Sequence, residues 1–168
     1  TAKYRKETSK LDLPAPFHHP FTIVDTSSVY PFVQKEDGTG SKYNLMHVFA
    51  VRNLTYFLEQ NGFIKDITCV GVTSPYKAQT KLHVANNKSS PVTARTIHGF
   101  QGDEKEVMII DLVSALGEGY FMWHAFQCDQ PSDYGSKLWN VAVSRAKNNV
   151  IVFAHLTQME KRLPNHGF

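Results

Sequence analysis

Three short stretches of this chain carry side chains able to act together on an anionic ligand. The first is Ser74-Pro-Tyr-Lys-Ala-Gln79, which follows an apolar run. If Pro75 opens a helix, the free N–H groups of its first turn can meet a phosphate. The second is His98-Gly-Phe-Gln-Gly-Asp-Glu104, where Gly99 and Gly102 let the backbone turn sharply or approach a ligand closely. The third is Trp139-Asn-Val-Ala-Val-Ser-Arg-Ala-Lys147. Helical spacing puts Arg145 on one face with Leu138, Val141 and Ala142. An arginine on an apolar face needs an anion, because a buried charge left unpaired is costly. No acid stands three or four positions before it. A bound phosphate, a structural ion pair with a distant carboxylate, and simple snorkelling all satisfy that spacing.

The elements that would position these residues alternate between strand and helix. Strands are predicted at 21–25, 67–73, 92–97, 107–113 and 149–155, the fourth apolar enough to be buried on both faces. Asn44 reads as the N-cap of a helix ending near Gly62, with Met46, Ala50, Leu54, Phe57 and Leu58 as its apolar stripe. Further helices are predicted from Pro75 to Asn86, Ser136 to Lys147 and Thr157 to Leu163, with a loop at 34–43. The pattern implies an α/β domain, a mainly parallel sheet covered on both faces. Ligands of such sheets bind outside the carboxyl ends of the strands. Only about nine residues join the third and fourth strands, fewer than the roughly ten to twelve of a parallel crossover, so these two need not be neighbours. The expected organisation is an extended lead-in at 1–20 and one domain at 21–168, with a loop or insertion at about 115–135.

Composition narrows the class. The 168 residues suffice for one domain with a real core, at 42% hydrophobic and 20% charged. No apolar run approaches the roughly 18 to 20 residues that span a bilayer, so no membrane partner is expected. Thr1 to Lys10 has no apolar core and is not a secretory signal; a start at Thr suggests a processed or cut chain. A net charge of +3 permits nucleic-acid binding without requiring it. Cys69 and Cys128 form no disulfide framework, and an intracellular setting, cytoplasmic or nuclear/nucleoid, is expected. His18 and His19 have no further ligands at suitable spacing, so no metal site is expected. Tyr120, Phe121, Trp123 and Phe126 are expected to pack the insertion rather than stack on bases. Lys3, Arg5, Lys6 and Lys10 are read as a solvated basic lead-in.

Taken in order, Val70 to Gln79, Thr96 to Ile110 and Asn140 to Lys147 resemble motifs IV, V and VI of superfamily 1 helicases. The nearest likeness is to the branch of the nonsense-mediated-decay RNA helicase, the Okazaki-fragment helicase-nuclease and the senataxin-like proteins. It covers roughly residues 67–155, and Phe-Gln-Gly-Asp-Glu and Asn-Val-Ala-Val-Ser-Arg-Ala are its most specific parts. The resemblance implies a RecA-like three-layer α/β/α domain, the second of a motor pair. It implies that Arg145 is an arginine finger for the γ-phosphate. Glu104 would lie near the nucleotide ribose, Gly102 would let that loop close, and Gln101 is a second-rank contact. Ser74, Thr96 and His98 would face the nucleic-acid backbone, Ser74 at a position that is usually Thr in this branch. Tyr76 and Gln79 fit motif IV as contacts or as packing and capping residues.

The departures from the family are as informative. The chain has no GxxxxGK followed by Ser or Thr, no Walker B acid pair, and no Tyr-Arg-Met-His-Pro segment, which should lie just upstream of residue 1. The expected cofactor is therefore ATP with Mg2+, bound jointly with the first RecA-like domain of the same chain. The expected polymer is single-stranded DNA or RNA, and this chain alone should neither hydrolyse ATP nor unwind a duplex. A non-catalytic RecA-like module binding nucleic acid or protein is the alternative. A signalling-type nucleotide-binding domain would leave the Arg145 segment unexplained.

Overall fold

A computed structural model describes residues 13–29, 32–88, 90–114 and 130–162. The elements run β1 (Phe21–Asp25), β2 (Gln34–Lys35), β3 (Lys42–Tyr43), α1 (Leu45–Gln60), β4 (Val70–Ser74), α2 (Lys77–Asn86) and β5 (Val92–Thr96). They continue with a 3-10 turn (Ile97–Phe100), β6 (Lys105–Asp111), α3 (Tyr134–Ser144), β7 (Ala146–Ala154) and α4 (Leu156–Arg162). Five strands form one wholly parallel sheet in the order β1-β7-β6-β4-β5. β4 lies between β5 and β6, which resolves the short link: the two strands are not neighbours.

Side-chain alternation along the strands supplies two cores. From β7, Ile151 and Phe153 join Val51, Leu54 and Leu58 of α1 on one face, with Val72 and Ile109. Val150, Val152 and Ala154 point the other way, to Leu138 and Ala142 of α3 and Met159 of α4. β6 is buried along nearly its whole length, as expected of a strand covered on both faces. α2 packs beside α1 and against β4 and β5. This is the RecA-like α/β arrangement.

Several boundaries differ from expectation. Asn44 caps α1, its side chain accepting from the His47 N–H at 3.1 Å. Gly62, at φ +76, closes the helix with Gly62 N–H to Glu59 O (3.0 Å) and Phe63 N–H to Leu58 O (2.8 Å), a Schellman pair. The buried stripe of α1, however, is His47, Val48, Val51, Leu54, Thr55 and Leu58, while Met46 and Phe57 are 48% and 45% exposed. α1 is apolar nearly all round, so its periodicity fits more than one face. β4 starts at Val70, because Asp66 holds residues 66–69 in a turn, accepting from the Thr68 N–H at 2.7 Å. α2 starts at Lys77, with Tyr76 rather than Pro75 at its border. α3 stops at Ser144. The predicted loop at 34–43 contains the β2–β3 ribbon, tied to α2 by Lys81 Nζ to Glu36 (2.9 Å).

The end of the lead-in is packed rather than merely extended. Leu13 is buried in the first core, and Asn149 Nδ2 donates to the carbonyls of Phe17 (3.3 Å) and His19 (2.8 Å). Lys3, Arg5, Lys6, Lys10, Cys128 and the aromatic residues 120–126 lie outside the described residues.

Candidate functional site

The sheet separates the candidate residues between its two edges. In the parallel register, Ser74 lies beside Thr96 at the carboxyl ends of β4 and β5. Gln101, Gly102 and Glu104 come just before Lys105, which pairs with Ala146 at the start of β7. Glu104 and Arg145 thus precede neighbouring strands at the amino-terminal edge. A site confined to the carboxyl ends, the general expectation for open sheets, is not what these residues form. The cause is the 97–104 link, which runs back along the sheet from the end of β5 to the start of β6.

At the amino-terminal edge the Lys105 N–H donates to the Arg145 carbonyl at 2.9 Å, joining the two segments directly. The preceding turn is closed by Gln101 N–H to His98 O (3.1 Å) and Asp103 N–H to Phe100 O (3.0 Å), with Phe100 buried as its anchor. Gly102 has φ +85, a left-handed conformation that side chains rarely adopt, although no atom lies within 4 Å of a Cβ built there. Gln101 and Glu104 are exposed. Among the described residues the Glu104 carboxylate has no ion pair.

Arg145 does not point into an apolar core. Because α3 ends at Ser144, Arg145 is its C-cap (φ −82, ψ −12) and the chain turns there into β7. The guanidinium donates to Ser144 Oγ at 3.3 Å from Nε and 3.1 Å from Nη2. Among the described residues it has no carboxylate partner, so the structural ion pair left open by spacing does not form there. The neighbouring acid is engaged elsewhere: Glu106 takes Lys147 Nζ at 3.6 Å and Asn148 Nδ2 at 2.6 Å. Lys147 and Asn148 together oppose Glu106 between the Lys105–Ala146 and Val107–Asn149 pairs, a β-bulge beside the arginine.

At the carboxyl edge Ser74 is fully buried, and its Oγ accepts from the Tyr76 N–H at 3.3 Å. Thr96 is half-buried and His98 is exposed on the 3-10 turn. The first turn of α2 is less open than its sequence suggests, since the Ala78 N–H donates to Ser41 Oγ at 3.0 Å. Burial pushes the Tyr76 phenol up to about 12, keeping it neutral at physiological pH.

Beneath this edge lies a buried polar network that motif reading missed. The Asp111 carboxylate, at the end of β6, accepts from His47 Nδ1 (2.7 Å), His83 Nε2 (2.8 Å), Gln79 Nε2 and the Val113 N–H (2.9 Å). Gln79 also exchanges hydrogen bonds with the Asn44 backbone, at 2.8 and 3.1 Å, so it is a tie between α2 and α1. Thr26 Oγ1 lies 2.9 Å from His47 Nε2 and donates to the Ala154 carbonyl at 3.1 Å. Burial alone would push the Asp111 carboxyl up, but the charge and hydrogen bonds of His47 and His83 outweigh it and hold the group below the usual carboxylate range. An acid inside the otherwise apolar run from Val107 to Val113 was the available signal.

No group of three or more His, Cys, Asp and Glu among the described residues could hold a metal ion, and the His18 and His19 rings lie tilted against each other with centroids 3.9 Å apart. No helix among them is long and apolar enough to cross a membrane.

A family model described as an AAA domain matches residues 2–157. An uncharacterised ATP-dependent helicase of Caenorhabditis elegans is 32% identical over 94 residues, covering 55% of this chain and 5% of that relative. The matched segment is thus a small part of the relative's length.

Proposed function

Starting from the fact that the chain belongs to the AAA domain family, we propose that it is the second RecA-like motor domain of an ATP-dependent superfamily 1 helicase. In this reading it belongs to the branch of the nonsense-mediated-decay RNA helicase, the Okazaki-fragment helicase-nuclease and the senataxin-like proteins. It acts inside the cell on single-stranded DNA or RNA, and the branch implies 5′-to-3′ movement. The name of the nematode relative supports ATP use and helicase action. The observation that carries the reading is the meeting of the Glu104 turn and Arg145 at one sheet edge through the 2.9 Å Lys105–Arg145 backbone hydrogen bond.

ATP with Mg2+, held jointly with the first RecA-like domain of the same chain, supplies the phosphoanhydride whose cleavage drives movement. The residues here suit the remaining half of such a site. Arg145 has a guanidinium without a carboxylate partner among the described residues, and it stabilises charge gathering on the phosphoryl oxygens. Glu104 takes the ribose hydroxyls, Gly102 lets the turn lie close, and Gln101 contributes a further amide. Thr96 and His98 hold the phosphate backbone of the strand at the opposite edge, while the buried Ser74 Oγ holds the Tyr76 N–H instead of meeting the strand. β4 has five residues, so the two edges stand roughly 16 Å apart across a stiff parallel sheet. Rotation of the whole domain on nucleotide closure therefore moves the strand contacts.

The test is single-strand-stimulated ATP hydrolysis by the full-length protein with Arg145→Ala. Turnover should fall on the order of 10³-fold with strand binding retained. Unchanged turnover would make Arg145 structural and leave the non-catalytic binding module in its place.

A further inference from the structure

We infer that Lys105 is a positioning residue for the nucleotide edge, fixing Glu104 and Arg145 relative to one another. The inference rests on the nucleotide reading above. Lys105 sits at the first position of β6, yet its side chain is only 5% exposed. Its ammonium donates to the Ile67 carbonyl at 2.8 Å and pairs with Asp103 Oδ2 at 3.3 Å. Its backbone N–H holds the Arg145 carbonyl. One residue thus binds the Glu104 turn through its ammonium and the arginine segment through its backbone.

The surroundings are shaped for this lysine. Its stem crosses β4 at Gly71, where an added Cβ would fall 2.8 Å from Lys105 Cγ. Arg95 of β5 reaches the same Asp103 oxygen at 3.2 Å and the Gly99 carbonyl at 3.4 Å. Asp103 therefore receives cations from two strands, and Glu104 is held between an anchored Asp103 and an anchored Lys105. Apolar residues of similar volume commonly replace buried ion pairs without loss of stability. What an apolar side chain would lose here is the tether on the turn. Small misplacements near a reacting centre can cost about 10²-fold in rate.

The experiment uses the full-length protein with Lys105→Met, which keeps the stem and removes the ammonium, and with Asp103→Asn. Steady-state ATP hydrolysis with saturating single strand, strand affinity without nucleotide, and the melting temperature are measured together. Lys105→Met should raise KM for ATP about 10-fold and lower kcat by about 10- to 100-fold, with strand affinity unchanged. Asp103→Asn should shift KM in the same direction by a smaller factor. The double variant should be no worse than Lys105→Met, because the tether is already gone. Unchanged KM and kcat in a folded Lys105→Met protein overturn the proposal, as do losses that merely follow the melting temperature. If Lys105→Met does not fold, Asp103→Asn decides, and an unchanged KM there overturns it. Arg145→Ala run alongside separates the failures: its collapse with normal Lys105→Met kinetics refutes only the positioning role, whereas unchanged Arg145→Ala turnover refutes the nucleotide reading itself.

Discussion

Replacing Asp111 by alanine withdraws the acceptor from four buried donors: His47 Nδ1, His83 Nε2, Gln79 Nε2 and the Val113 N–H. Each orphaned donor costs about 1–3 kcal/mol. The four share one network, so their costs do not add. Breaking a buried ion pair by removing one partner costs about 3–5 kcal/mol, and that is the expected loss. A domain is held by about 5–15 kcal/mol in total, so the variant gives up a large fraction of its stability. With a urea slope of about 2 kcal/mol/M, the unfolding midpoint should fall by about 2 M. Asp111→Asn should lie between, since its amide oxygen still accepts while its NH2 group faces donors. The pH dependence has a definite sign. The folded Asp111 carboxyl titrates below its ordinary value near about 4, so in acid the unfolded chain binds the extra proton and stability rises with pH. Its contribution is complete above that ordinary value and is lost as pH falls through the folded one. The gap between wild type and Asp111→Asn should therefore shrink in acid as pH falls through the folded value. A loss below about 0.5 kcal/mol for Asp111→Ala, or a gap independent of pH down to full unfolding, would refute this account of the network.

Gly71→Ala should be overpacked, since its Cβ would lie 2.6 Å from Met108 Sδ, 2.8 Å from Lys105 Cγ and 3.0 Å from Phe100. The expected cost is about 1–3 kcal/mol by urea titration, and an unchanged midpoint would mean that the Met108 and Lys105 side chains yield easily. His98→Ala removes the exposed imidazole at the carboxyl edge. It should weaken single-strand binding roughly 5-fold, read by fluorescence anisotropy without nucleotide. KM for ATP should stay constant, and a parallel change in KM would show that the two edges are not separable.

The strands were legible because buried parallel strands are apolar runs, and the short 97–104 link left room for β5 and β6 not to be neighbours, as the sheet order shows. Asn44 and Gly62 marked α1 correctly because capping depends on local chemistry. The face of α1 was not legible: Met46 and Phe57 share helical spacing with the core residues, and only the packed sheet decides which side is covered. For Arg145 a boundary made the difference, since a helix ending at Ser144 turns the guanidinium away from the core. The opposing edges were hidden because motif order says nothing of which end of β6 the 101–104 turn reaches. Asp111, His47 and His83 are far apart in the chain, so neither their contact nor their burial has a local signature.

The pairing of β1 with β7 bears on how the domain is made. β1 lies at the sheet edge, and its ladder partner ends at Ala154, 128 positions after Thr26. A ribosome adding about 5–20 residues per second leaves β1 waiting on the order of ten seconds for that strand. During that interval the core that Val24 joins lacks Ile151 and Phe153, and Phe21 and Ile23 remain half-exposed even after folding. A nascent chain stopped before Ala146 would present an unpaired apolar segment to chaperones and proteases.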